Sequence, residues 1–195
     1  MTRLKHKGKI FIISGPSGSG KTTLHKRLLL SGRLKGKLIK SISATTRKRR
    51  PDERHGRDYL FFTARDFLAK KERGYFLEWQ RVFDHYYGTP KGAVKRILQN
   101  GKNVLLCIDV KGARVVEKSF PDCVKIFITV PSPAVLRTRL QRRASESNKE
   151  LAHRLEVSRR EMKEAGRYDY IVSNDVVHRA VKKLESIVVS ELRNE

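Results

Sequence analysis

The fold of this chain is decided by the stretch Gly15-Pro16-Ser17-Gly18-Ser19-Gly20-Lys21-Thr22. It follows the apolar run Ile10-Phe11-Ile12-Ile13 and precedes a helical pattern over residues 23–30. The pattern G-x-x-x-x-G-K-[ST] between a strand and a helix is typical of a loop that wraps phosphate groups. Its glycines let backbone N–H groups turn towards phosphate oxygens at the positive end of the helix. The stretch predicts a nucleoside triphosphate site, and the simpler alternative is a flexible loop that only caps a helix.

Single residues of this phosphate loop have separate expected roles. We expect Lys21 to reach the β- and γ-phosphates and the Thr22 hydroxyl to bind Mg²⁺. The whole loop is expected to bind ATP, and its residues are Gly15, Pro16, Ser17, Gly18, Ser19, Gly20, Lys21 and Thr22.

The composition combines an ordinary domain length with a large excess of positive charge. The 195 residues include 44 Lys and Arg against 20 Asp and Glu, for a formal net charge of +24. Such an excess attracts polyanions, so a nucleic-acid-binding protein is one alternative. The basic residues are spread along the chain without a recognisable nucleic-acid-binding motif. We therefore expect a solvated basic surface with nonspecific polyanion binding at low salt.

The cysteines and the apolar runs bear on location. Cys107 and Cys123 lie in apolar stretches without metal-type spacing, which predicts buried free thiols in a reducing compartment. The apolar runs are strand-sized, well below the roughly 18–20 residues that span a bilayer, and residues 1–9 have no secretory apolar core. We expect a cytoplasmic protein without a membrane partner.

Strand-like and helix-like segments alternate along the chain. Strands are predicted at residues 9–14, 39–43, 104–110, 124–130 and 170–172. Helices are predicted up to about residue 31 and over residues 91–100, 113–119, 132–165 and 176–192. Apolar strands separated by helices indicate an α/β fold, with a parallel sheet covered by helices on both faces.

Two segments depart from this alternation. Residues 45–90 contain aromatic, strand-prone pieces and one short helix near residues 64–71, which predicts a small mixed sheet that carries the second substrate. Residues 141–150 interrupt the long helical region with serines and an asparagine, which predicts a mobile lid flanked by helices.

Five further stretches follow the phosphate loop in order. They are Ser41-Ile42-Ser43-Ala44-Thr45-Thr46-Arg47-Lys48-Arg49-Arg50-Pro51, Gly56-Arg57-Asp58-Tyr59, Phe76-Leu77-Glu78-Trp79, Tyr86-Tyr87-Gly88-Thr89-Pro90 and Ile108-Asp109-Val110-Lys111-Gly112. Together they strongly resemble the guanylate kinase family, and the resemblance continues to Asn174-Asp175. It implies ATP-dependent phosphorylation of GMP and dGMP to GDP and dGDP with Mg²⁺. It also implies one guanylate-kinase-like unit over residues 1–195. The approximate parts of that unit are a P-loop kinase core (residues 1–44, 91–138 and 167–195), a GMP-binding insert (residues 45–90) and a helical lid (residues 139–166).

The resemblance also implies a site for the guanine base. Guanine presents two adjacent N–H donors and one carbonyl acceptor, so a carboxylate and hydroxyl groups can read it together. The matching positions are Glu78 with Ser43 and Thr89, and Asp109 is implied as a further substrate-binding residue. For Glu78, beside Trp79 in an aromatic strand, the alternative is a charge that faces outwards into solvent.

The remaining implied residues bind phosphate groups. Guanidinium groups bind phosphate oxygens in pairs, and the resemblance assigns the GMP phosphate to Arg47, Arg50, Tyr59 and Tyr87. Lys48 and Arg49 have no matched role, and we expect them to be solvated. The expected catalytic residues are Lys21, Arg47, Arg139, Arg143 and Arg154, and Asn174 is expected at the ATP site.

The chain departs from the family pattern at two positions and leaves a second function class open. Cys107 stands where the family usually has an acidic residue, and Arg142-Arg143-Ala144 replaces the usual Gly-Arg-Gly of the lid. The other class is a guanylate-kinase-like module that binds phosphorylated protein segments without catalysis. Such a module would have no physical use for Lys21, Thr22 and the glycine cradle.

Overall fold

A computed structural model describes residues 8–141 and 148–193 of the chain. Predictions that fall on residues 142–147, among them the role of Arg143, lie outside the described residues.

Strands and helices alternate through the described residues. The strands are β1 (Ile10–Ser14), β2 (Leu38–Lys40), β3 (Ala44–Thr45), β4 (Leu60–Phe61), β5 (Phe76–Val82), β6 (His85–Pro90), β7 (Asn103–Cys107), β8 (Val124–Thr129) and β9 (Tyr170–Ser173). The helices are α1 (Lys21–Leu29), α2 (Ala64–Glu72), α3 (Lys91–Gln99), α4 (Val110–Ser119), α5 (Pro133–Gln141), α6 (Asn148–Met162) and α7 (Val177–Glu191). One 3₁₀ turn spans Ala165–Arg167.

The larger sheet has five strands in the order β2-β7-β1-β8-β9. The β2–β7, β1–β8 and β8–β9 pairs are parallel. All five residues of β1 are buried, as are four of the six residues of β8. Strands buried in this way need apolar side chains on both faces, which explains their continuous apolar runs. The prediction of an α/β fold with a parallel sheet and flanking helices is confirmed.

The smaller sheet has four strands in the order β4-β3-β6-β5. Strands β3 and β4 are parallel, whereas β6 is antiparallel to both β3 and β5, so the sheet is mixed as predicted. Helix α2 contributes Phe67, whose ring stacks on Phe76 at 4.3 Å and on Tyr86 at 5.5 Å between centroids. This aromatic cluster is the core of the smaller sheet and accounts for the aromatic content of its strands.

Residue contacts divide the chain into two compact units. The first unit comprises residues up to 10, 37–106 and 111–123, and it contains the smaller sheet together with the β2–β7 pair. The second unit comprises residues 11–36, 107–110 and 124–195, and its sheet strands are β1, β8 and β9. The assignment of a core, a GMP-binding insert and a lid to particular ranges stays a prediction.

Two predicted strands have wrong boundaries. The strand predicted over residues 104–110 ends at Cys107, because the chain turns after Asp109 and helix α4 begins at Val110. The strand predicted over residues 39–43 ends at Lys40, and residues 41–43 connect β2 to β3 of the smaller sheet. The Ser41 N–H still donates to the Leu105 carbonyl of the larger sheet, and β3 of the smaller sheet begins at Ala44.

Within the described ranges, every helix is too short or too polar to cross a membrane.

Candidate active site

The phosphate loop leaves β1 at Ser14 and leads into α1 at Lys21. Gly15, Gly18 and Gly20 have φ angles of +140°, +85° and +91°, a region that other residues rarely adopt. A Cβ atom on Gly15 would lie 2.3 Å from the Ile128 carbonyl oxygen, so the loop passes too close to β8 for any side chain. The backbone angles and the close packing therefore explain why glycine stands at these positions of the loop.

The charged and hydroxyl groups of the loop lie at the start of α1. The Lys21 ammonium donates to the carbonyl oxygens of Gly15 at 2.5 Å and Pro16 at 3.0 Å, so it lies back over its own loop. Thr22 is exposed in the first turn of the helix. Helix α1 has no acidic residue in that turn, so the turn itself contributes no negative charge against the positive end of the helix.

Asn174 supports the loop from the end of β9. Its side chain is buried, and its amide donates to the Ser19 carbonyl at 2.7 Å. The Arg139 guanidinium in turn donates to the Asn174 carbonyl at 2.9 Å. Asn174 thus contacts the backbone of the predicted ATP-binding loop, and Arg139 reaches that loop through Asn174.

A second predicted transfer arginine contacts the loop directly. Arg154 of α6 is half-buried and donates from Nη2 to the Ser17 hydroxyl at 3.1 Å. Helices α5 and α6 are held together by a cluster of buried apolar side chains, comprising Val130, Leu136, Leu140 and Leu151. The structure therefore places Arg139 and Arg154 near the loop that contains Lys21, within one unit.

The turn after β7 adds Asp109 to this unit. Asp109 is half-buried, and the Ser14 hydroxyl donates to the preceding Ile108 carbonyl at 2.9 Å. Burial raises the pKa of the nearby Tyr168 hydroxyl to about 12, with a smaller contribution from the negative charge of Asp109. Tyr168 was missed by the sequence reasoning, because a tyrosine before a short strand carries no signal of its own.

The predicted guanine-reading residues lie on paired strands of the first unit. Glu78 of β5 is 5% exposed and Thr89 of β6 is fully buried. The two residues face each other in the strand register, and the Thr89 hydroxyl donates to Glu78 Oε1 at 2.6 Å. The alternative of an outward-facing charge at Glu78 is wrong. Ser43 is half-buried next to β3, and its carbonyl accepts from the Leu60 N–H at 2.9 Å.

Three of the four predicted residues for the GMP phosphate are neighbours. The Arg47 guanidinium lies 5.6 Å from the centre of the Tyr59 ring, and the Tyr59 and Tyr87 rings are 6.3 Å apart. Burial on its own would lower the pKa of Arg47, but hydrogen bonds and charge from Glu53 and Tyr87 outweigh it and raise the pKa. The Arg50 side chain is exposed. Lys48 and Arg49 are exposed too, as expected.

Glu53 is a member of this group that the sequence reasoning missed. Its carboxylate accepts from Arg47 Nη2 at 2.8 and 2.9 Å and from the Arg50 backbone N–H at 3.0 Å. Burial would raise the pKa of the Glu53 carboxyl, yet the bonds from Arg47 and from the Arg50 N–H lower it below its ordinary value. The only sequence signal was a pair of adjacent acids, Asp52 and Glu53, close to a run of four basic residues.

Comparison with known proteins shows which family this chain belongs to. The guanylate kinase family model matches residues 7–191, nearly the whole chain. The chain belongs to the guanylate kinase family. It is 43% identical over 189 residues to guanylate kinase of Caldanaerobacter subterraneus subsp. tengcongensis, covering 96% of this chain and 90% of the relative. Guanylate kinase of Thermotoga maritima is 43% identical over 185 residues, covering 95% and 88%.

A solved structure supports the same family. The crystal structure of guanylate kinase from Anaplasma phagocytophilum has a TM-score of 0.79 and 29% sequence identity, and the match covers 96% of this chain and 87% of that one. This likeness agrees with the α/β fold and its parallel sheet. The chain is thus a guanylate kinase family member with an intact phosphate loop.

The side chains of this guanylate kinase family member also indicate how it could bind a metal ion. Among the described residues, no group of three His, Cys, Asp or Glu side chains is placed to hold a metal ion by itself. Mg²⁺ is commonly bound by few protein oxygens together with substrate phosphates and water, and the exposed Thr22 hydroxyl beside Lys21 is an oxygen of that kind. The residues present therefore fit an ion that arrives with a nucleotide.

Proposed function

We propose that this chain transfers the γ-phosphate of ATP to GMP and dGMP, giving GDP and dGDP. The observation that carries the choice of base is the buried Glu78 carboxylate, which meets a buried threonine hydroxyl across two strands. A carboxylate accepts hydrogen bonds only, and guanine offers two adjacent N–H donors to it. The Ser43 hydroxyl is a donor for the guanine carbonyl, and the Thr89 hydroxyl becomes a second one when it turns away from Glu78.

The same carboxylate disfavours adenine. Adenine has a lone pair at N1 where guanine has an N–H, so a bound adenine would face Glu78 with an acceptor. A buried charged group left without its hydrogen bond costs about 1–3 kcal/mol or more, which corresponds to roughly 5- to 150-fold in affinity. Discrimination of this kind needs no second checking site.

The phosphate of GMP is bound by arginine and tyrosine side chains of the same unit. Arg47 supplies a guanidinium held next to Tyr59 and Tyr87, and the two phenol hydroxyls donate to phosphate oxygens. The exposed Arg50 side chain turns onto the phosphate from the neighbouring loop position.

ATP is bound by the second unit. Lys21 exchanges its two backbone carbonyl acceptors for the β- and γ-phosphate oxygens, which are stronger acceptors because they are charged. Arg139, Arg143 and Arg154 stabilise negative charge that spreads over the transferred group. The Thr22 hydroxyl would hold Mg²⁺ together with the nucleotide phosphates, and the bound ion would neutralise further phosphate charge. Asn174 holds the loop backbone so that its N–H groups stay aimed at the nucleotide.

A phosphopeptide-binding module explains less of the molecule. The lysine, the three glycines with positive φ and the arginine that contacts Ser17 have no use in binding a peptide. For the location, neither Cys107 nor Cys123 forms a disulfide, which supports a reducing compartment such as the cytoplasm.

A coupled assay with ATP and each of GMP, dGMP, AMP, CMP and UMP tests the function. We expect GMP to be the preferred acceptor. Glu78→Gln should lower kcat/KM for GMP by roughly 10- to 150-fold, because the amide presents an NH₂ group to one guanine donor and hydrogen bonds to charged groups contribute about 1.5–3 kcal/mol.

The control for that substitution is Glu72→Gln. Glu72 is an exposed acid at the end of α2 in the same unit, so its substitution removes an equal charge away from the base. It should leave both kcat and KM unchanged. Equal turnover of AMP and GMP by the unsubstituted enzyme would reject Glu78 as a reader of guanine.

A further inference from the structure

We infer that Glu53 is a positioning residue for the GMP phosphate, because one carboxylate ties the side chain of Arg47 to the backbone of Arg50. This inference rests on the proposed function, in which those two arginines hold the phosphate of GMP. It adds a residue that itself has no attraction for a phosphate group and acts only through the arginines.

The contacts form a closed loop of hydrogen bonds. Glu53 accepts from Arg47 Nη2 at 2.8 and 2.9 Å and from the Arg50 N–H at 3.0 Å. The Glu53 N–H donates back to the Arg50 carbonyl at 3.1 Å, which closes the turn between the two residues. The side chains of Arg47 and Glu53 are each only 14% exposed, so water screens the pair little. Glu53 thereby fixes where Arg47 lies relative to the backbone of Arg50.

The bond to Glu53 leaves Arg47 able to bind a phosphate. A guanidinium has five N–H donors. Glu53 takes at most the two on Nη2, and the Lys48 carbonyl takes one on Nη1 at 2.6 Å. Tyr87 also hydrogen-bonds to this guanidinium, which leaves at least one donor outside these bonds. Arg47 can therefore donate to a phosphate oxygen while Glu53 stays in place.

The net charge of Arg47, Arg50 and Glu53 also favours binding of the GMP phosphate. Two arginines and one glutamate leave this group with a net charge of +1, so it still attracts a dianionic phosphate. Without Glu53 the group would attract the phosphate more strongly at long range, but GMP would have to order the Arg47 side chain and the turn when it binds. Immobilising a flexible side chain on binding weakens affinity by roughly three- to tenfold, and the turn adds to this.

The test compares Glu53→Gln with Asp52→Asn. Asp52 is the exposed acid one residue earlier, so its substitution changes the charge equally without touching Arg47. Calorimetry without ATP measures binding of GMP and of guanosine, which lacks the phosphate, and steady-state assays measure kcat and both KM values. Glu53→Gln should raise the Kd and the KM for GMP by about tenfold. It should leave the Kd for guanosine, the KM for ATP and kcat at saturating GMP unchanged, and Asp52→Asn should change none of them.

Glu53→Asp provides a second variant, which also covers a failure of Glu53→Gln to fold. It keeps the charge but withdraws the carboxylate by one methylene, so it should weaken GMP binding and spare guanosine. Tighter GMP binding by Glu53→Gln, an equal loss for GMP and guanosine, or an unchanged Kd for GMP in both variants would each overturn the inference. If the unsubstituted protein bound no GMP at all, the proposed function would fall, and this inference with it.

Discussion

Gly20 is constrained both by its own backbone and by one neighbouring side chain. It precedes α1 with a φ angle of +91°, and a Cβ atom there would lie 2.2 Å from Asn174 Nδ2. Alanine at this position would strain the loop and push away the amide that supports Ser19. The effect should reach the ATP loop and leave the guanine-reading residues of the first unit unaffected.

Gly20→Ala should therefore weaken ATP binding by at least roughly tenfold and lower the free energy of unfolding by about 1–3 kcal/mol. Calorimetry with ATP and with GMP, together with denaturant unfolding, measures these effects. The control is Gly36→Ala, because Gly36 also has a positive φ of +72° but has open space at its Cβ position. Gly36→Ala should show the backbone strain without the loss of ATP affinity, and equal ATP affinities in the two variants would contradict the role of the Asn174 contact.

Among the secondary-structure elements, helix α2 begins with a side-chain N-cap formed by Thr63 and Asp66. The Thr63 hydroxyl accepts from the Asp66 N–H at 3.1 Å and donates to the Asp66 carboxylate at 2.7 Å, just before the first turn. The helix buries only Phe67, whose ring completes the aromatic core of the smaller sheet. A nine-residue helix with one buried anchor has little other support for its start.

Thr63→Ala should lower the free energy of unfolding by about 1 kcal/mol, because it leaves one N–H of the first turn unsatisfied. Ser186→Ala is the control, since Ser186 is exposed in the middle of α7 and its hydroxyl bonds only the Lys182 carbonyl. That control should leave stability unchanged within about 0.5 kcal/mol. Urea unfolding followed by circular dichroism measures both variants, and equal effects would show that the cap contributes nothing specific.

The same elements show which parts of the fold the sequence could predict. Strand β1 and helix α1 were predictable, because an apolar run, a glycine loop and a helical pattern follow each other without a break. The strand predicted over residues 39–43 was too long, because Ile42 continues the strand-like sequence after β2 has ended at Lys40. The predicted end of β7 was wrong for a related reason. Valine is common in strands, but Val110 is the first residue of α4.

The candidate site also contains residues that the sequence could predict and residues that it could not. Residues recognised by motif include the buried Glu78 and Arg47 beside Tyr59, and their roles stay predictions. Glu53 was missed because its proposed role comes from its three-dimensional neighbours. The bond from Asn174 to the Ser19 carbonyl joins residues far apart in sequence, and no spacing rule reaches across that distance.

At the scale of the whole molecule, the dominant property is the net charge of +24. Part of the basic excess has a local use in the proposed function, as with Arg47, Arg139 and Arg154. Many other basic residues are exposed, among them Lys48, Arg49 and Arg57. Exposed cations spread over a surface attract any polyanion, and the attraction is screened by salt.

We therefore expect the protein to bind single-stranded nucleic acid without sequence preference and with steep salt dependence. Neutralising several phosphates releases counterions, so the affinity for a labelled oligonucleotide should fall at least roughly tenfold between about 50 and about 200 mM salt. The KM for GMP should change much less over this range, because GMP meets a small, partly buried set of groups that salt screens weakly. Fluorescence anisotropy with two unrelated sequences measures the first effect, and the coupled assay measures the second. A strong preference for one sequence, or binding that persists at high salt, would mean that the basic surface contains a specific nucleic-acid site rather than a diffuse field.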